Sequence, residues 1–177
     1  MTTGPTADVR SRVRDYLLAQ GQKYTWLELW PRVMGARLEF LDAIKDVSAE
    51  QASFQPSPDD WSIAEIAHHF LQTSRGVARS VELLANGQTP DRTDHEPPRT
   101  APTLAWTDLQ TAIAEDSVTL AALITGLPEP PSFEQTSDHM FFGPLHGRAW
   151  YLFQRVHDVD HTNQVLANKQ ATDYPTS

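Results

Sequence analysis

Four stretches of this chain repeat apolar side chains at helical spacing, and proline or glycine separates each from the next. Residues 25–47 carry Leu29, Val33, Leu38, Leu41 and Ile44, with Pro31 six residues in, where the first turn kinks or the regular helix begins. Ser62-Ile63-Ala64-Glu65 then forms a capping box, in which hydroxyl and carboxylate each take a backbone amide at a helix start. The helix it opens carries Ile66, Phe70, Val77, Val81 and Leu84, and Gly87 is its stop. A third stripe, from about Thr103 to Thr125, has Leu104, Leu109, Ile113, Val118, Leu120 and Leu123. The last helix runs from about Leu145 to Lys169. Each segment can bury one stripe only against others like itself. No strand pattern and no repeat stands beside them, so the expected class is all-α, a four-helix bundle.

The remaining segments attach to that bundle. Residues 1–24 hold a short helix, capped by Thr6 or Asp8 and stopped at Gly21, which makes an arm for the body or for a partner chain. Residues 25–170 are the bundle, and 171–177 a frayed tail. Pro90, Pro97, Pro98 and Pro102 mark a long crossover loop, and His95 within it is expected to be exposed.

Composition removes several functions. The chain of 177 residues has no cysteine, so any metal must be held by His, Asp, Glu or carbonyl groups. A formal charge of −9 and the lack of a basic stripe argue against nucleic acid as a partner. Neither a signal-peptide pattern nor a run of about 18 apolar residues is visible, so no membrane span and a cytoplasmic setting are expected.

The chemistry concentrates in the last helix. His157 and His161 are four residues apart, on one helical face, and two imidazoles so placed can grip one metal ion. The spacing alone is equally that of a half-exposed histidine pair on an ordinary helix. A third ligand would come from the helix opened by Ser62, where His69 falls beside Ile66 and Phe70 and His68 points about 100° away. If that helix is rotated, His68 takes the place of His69.

Trp61-Ser62-Ile63-Ala64-Glu65-Ile66-Ala67-His68-His69-Phe70 resembles the start of the second helix in the DinB/YfiT-like superfamily, where a histidine follows eight residues after a Trp-Ser/Thr opening. His157-x-x-x-His161-x-x-Gln164 resembles the family's second signature, and Phe142-Gly143-Pro144-Leu145 its glycine-containing lead-in. The resemblance covers roughly residues 25–170. It implies an up-up-down-down-type bundle with a long crossover, and a divalent metal, nickel or zinc, on His69, His157 and His161. It also implies an enzyme activating a free low-molecular-weight thiol, or water, for attack on an electrophilic small molecule. Characterised relatives include bacillithiol- and mycothiol-dependent S-transferases, which points to detoxification. Homodimers are common in the family.

Other readings stand beside this one: a metal-dependent hydrolase, or a stress-associated metal-binding dimer without turnover. Gln164 is placed to orient His161 or a bound water, unless it is an ordinary helix-edge residue. Glu65 is four residues before His69, although its capping role already explains it. Asp160 precedes His161 and reaches a ligand's ring or simply faces solvent. His139 and His146 either line the pocket mouth as acid or base, or are ordinary loop and helix-start residues. Trp61 reads as a core anchor, and of Trp26, Trp30, Phe133, Phe141 and Phe142 some are candidates to roof a pocket.

Overall fold

The computed structural model describes residues 6–91 and 99–176; His95 lies outside them. Six α-helices occur among these residues: α1 (Ala7–Lys23), α2 (Trp26–Ile44), α3 (Ala49–Ser53), α4 (Ile63–Ala85), α5 (Trp106–Leu123) and α6 (Gly147–Lys169). The chain is therefore mostly helical, as its periodicity predicts. A small antiparallel hairpin, β1 (Ser137–His139) with β2 (Gly143–Leu145), corrects the expectation of no strand. Its strands are three residues each, too short to show alternation. Gly143, at φ +68°, lets the chain fold back after Phe142.

Local signals set the helix ends. Ser62 and Glu65 form the expected capping box on α4. At its other end Gly87 adopts φ +75°, with Gln88 N–H bonded to Leu83 O at 2.9 Å and Gly87 N–H to Leu84 O at 3.1 Å. That is a Schellman motif. Helix α2 opens earlier than Pro31, on a second capping box of Thr25 and Glu28, and Pro31 sits inside the helix.

Helices α2, α4, α5 and α6 form the bundle, and side-chain contacts fix their directions. Lys169 at the end of α6 reaches Ala43 O near the end of α2, while Trp26 and Tyr151 meet at the two starts, so α2 and α6 are parallel. Asn168 bonds Trp61 O just before α4, so α6 and α4 are antiparallel. Trp106 at the start of α5 bonds Val47 O beyond the end of α2, and Trp30 bonds Ala121 O, so α2 and α5 are antiparallel. The order along the chain is up, down, down, up, rather than up-up-down-down. Only the step from α4 to α5 joins parallel neighbours, and it alone needs a crossover the length of the bundle.

Three stripe positions read from periodicity face water instead, Leu104 among them at 43% exposed. Leu38 is 64% exposed and Val118 71%. On α2 the inward row runs Leu29, Val33, Arg37, Phe40 and Ile44; on α5 it runs Leu109, Ile113, Ser117 and Leu120. Polar Arg37 and Ser117 occupy rows that a hydrophobic count alone mis-phases.

Helix α1 lies along α6. Leu17 is fully buried, and Gly21 is not a stop but a point of close approach. A Cβ there would come within 2.7 Å of His146 Cε1 and 2.9 Å of Ala149 N. No helix among the described residues is long and apolar enough to cross a membrane.

Candidate metal centre

Successive turns of α6 carry His157 and His161 on one face, and α4, running antiparallel beside it, brings His69 opposite. All three side chains are buried. Nε2 of His161 lies 3.0 Å from Nε2 of His157, which lies 3.4 Å from Nε2 of His69. One ligand atom from each histidine falls within 4.8 Å of both others. An ion held about 2.0–2.1 Å from each nitrogen would spread its ligands by about 3.0–3.4 Å, so the donors fit one small cation.

Protonation agrees with this geometry. Burial pushes His157 and His161 well below the ordinary histidine range, and the neighbouring imidazoles push them further. Both are neutral at pH 7, the form that ligates a metal. The amide oxygen of Gln164 can only accept, so the His161 Nδ1–H donates to it at 3.1 Å, leaving the Nε2 lone pair facing the cluster. The Gln164 amide is itself oriented, because its nitrogen donates to Asp160 Oδ2 at 2.8 Å. Nδ1 of His157 has no hydrogen-bond partner among the described residues and lies 3.6 Å from Asp158 Oδ1.

His68 turns away from the cluster and accepts from Gln72 Nε2 at 3.0 Å. Glu65 does not reach His69. It holds the Ser62 amide, Gln55 and Arg99. Burial works against its charge, but those partners outweigh burial and hold its carboxyl at about 2. His146 caps α6 by accepting from the Ala149 amide. Trp61 packs edge-on against His69, with ring centroids 5.3 Å apart.

His139 does join the site's surroundings. It is buried between Phe142 and Phe153, and it helps to line a cavity of about 380 Å³ over the three histidines. Burial lowers it to about 4, so its ring is neutral. Phe141 N–H donates to its Nδ1 at 3.1 Å, which leaves the ring proton on Nε2. Phe141 and Phe142 line the same cavity, whereas Trp26 is core and Phe133 is partly exposed at 38%.

Two features escape sequence reasoning. Thr73, one turn after His69, places its hydroxyl 3.4 Å from His69 Nε2 on the cavity wall. Behind His157, Arg37 of α2 reaches all three other bundle helices. It donates to Asp158 of α6 at 2.8 Å, Ser74 of α4 at 2.9 Å and Asp116 of α5 at 3.2 Å. Ser74 donates in turn to Asp116 at 2.6 Å, and Gln154 to Asp158 at 2.6 Å. The signal was an arginine at a stripe position, four residues after Val33.

The DinB superfamily model matches residues 35–165, well over half of the chain. The chain belongs to the DinB superfamily. Its three-histidine cluster fits a metal-binding member of that family. No curated protein and no solved structure matches it.

Proposed function

We propose that His69, His157 and His161 hold one divalent ion, nickel or zinc, and that the protein is an enzyme transferring a low-molecular-weight thiol to an electrophilic small molecule. The observation that carries the reading is the convergence of three buried imidazoles on one point that opens into a cavity. A purely structural site would be closed by a fourth protein ligand. Here the described residues offer three, and the fourth side faces a space large enough for a small molecule.

When bound, the ion supplies a Lewis-acid position at which a thiol or water ionises near neutral pH. Gln164 keeps His161 in the ligating tautomer, and Asp160 keeps Gln164 turned the right way. Thr73 offers a hydroxyl beside the same point. Phe142, Phe153 and Val156 exclude bulk water from one side of it. The chain has no cysteine, so the thiol must be a free cosubstrate. The resemblance to thiol-dependent relatives favours thiol over water as the nucleophile.

The test is turnover of an electrophile panel by metal-loaded protein, with and without added thiol. Turnover that requires thiol and is lost in His157→Ala supports the transferase. Turnover without thiol would move the assignment to a hydrolase, and none in either condition would contradict an enzyme.

A further inference from the structure

The cavity over the histidines has two unlike ends. Its floor is polar, made by the three imidazoles, Thr73 and Gln164. Its upper walls are largely apolar, with Val9 and Val13 from α1 and Met140 and Phe141 from the hairpin loop, and the neutral ring of His139 beside them. Phe153 and Val156 of α6 continue that surface toward the floor. Among the described residues no lysine or arginine lines it, and the one acid, Asp160, is at the exposed rim and held by Gln164. Arg10 is nearby, but its guanidinium lies over the Phe141 ring, 5.1 Å from the centroid, and is not part of the lining. A carboxylate, phosphate or sulfonate entering the upper cavity would lose its hydration without gaining a cationic partner there. An uncharged apolar body would lose nothing and bury its surface.

The family match begins at residue 35, so the α1 wall lies outside it. That wall is nonetheless fixed to the bundle, by buried Leu17 and by the close approach of Gly21 to Ala149.

We propose that this cavity takes an uncharged, largely apolar small molecule, an aromatic or branched aliphatic electrophile, and that α1 and the 140–142 loop select it. The proposal rests on the metal-centre reading only for which end of that molecule reacts.

The test uses N-phenyl-1-naphthylamine, a neutral probe that brightens in apolar surroundings, with metal content measured in the same samples. The parent should bind it saturably. Val13→Trp, which fills the cavity from α1, should weaken binding at least tenfold with metal content unchanged. Val9 is 44% exposed at the mouth, so Val9→Trp gives the same reading with less demand on folding. Uncharged 2-acetonaphthone should displace the probe at a concentration at least tenfold below that needed for naphthalene-2-sulfonate, a weak metal ligand of similar shape. Unsaturable probe binding, Trp variants that bind like the parent, or equal displacement by the sulfonate would overturn the proposal. Protein that binds probe but no metal would overturn the metal centre and leave the cavity's assignment standing; protein that binds metal but no probe would do the reverse.

Discussion

The Nδ1–H of His161 points at the amide oxygen of Gln164, 3.1 Å away, one turn along the same helix. A ring held this way keeps a lone pair on Nε2, where His157 and His69 also converge. Gln164→Leu should therefore weaken metal binding by about 10–100-fold, and Gln164→Glu, which retains an acceptor, should not. Competition against a chelator of known affinity measures both. Unchanged affinity in Gln164→Leu would remove this residue from the site.

Arg37 pairs with both buried Asp158 and Asp116, and Arg75 approaches Asp116 at 3.6 Å from the exposed side. Arg37→Met should destabilise the fold by about 3–5 kcal/mol, since it strands the Asp158 carboxylate in the core. The double variant Arg37→Met/Asp158→Leu should recover part of that loss. Urea unfolding checks the pair, and a loss below about 1 kcal/mol in the single variant would mean the network is solvated.

Acid should weaken the metal-free fold before most carboxylates titrate. Burial depresses His157, His161 and His139 in the folded chain, the last to about 4, while the unfolded chain protonates them near 6.5. Below that pH the unfolded state binds more protons, so stability is complete above about 6.5 and falls as pH drops toward the folded values. Each histidine contributes at most about 1.4 kcal/mol per pH unit. Thermal unfolding in chelator from pH 7.5 to 5 should show a steady fall in Tm, and a flat profile would contradict neutral burial of these rings.

Gly21→Ala puts a methyl group against the backbone of α6, 2.9 Å from Ala149 N. The expected cost is about 1–3 kcal/mol. It should appear as faster hydrogen exchange in α1, with α4 and α6 little changed, because α1 is the element displaced.

Residues that act locally are legible in the sequence itself. Ser62 with Glu65, Gly87, and the i,i+4 pair His157 and His161 announce themselves within a few positions, because caps and helix faces are short-range physics. His69 was distinguished from His68 by the apolar neighbours Ile66 and Phe70, and the structure turns it toward the pair. Arg37 was missed because its partners lie 37, 79 and 121 residues away. Gly21 reads as a stop because the contact that requires it comes from Ala149, far along the chain. The hairpin was missed because strands this short carry no period, and the α1 wall because Val9 and Val13 look like any amphipathic stripe.

The most direct test of the account is the metal content of protein purified without a histidine tag, set beside His69→Ala, His157→Ala and His68→Ala. The expected result is one equivalent of nickel or zinc in the parent, loss in the first two variants and retention in His68→Ala, whose ring faces Gln72. A parent that is empty and refuses added metal, or a His68→Ala protein that loses it, would contradict the three-histidine centre.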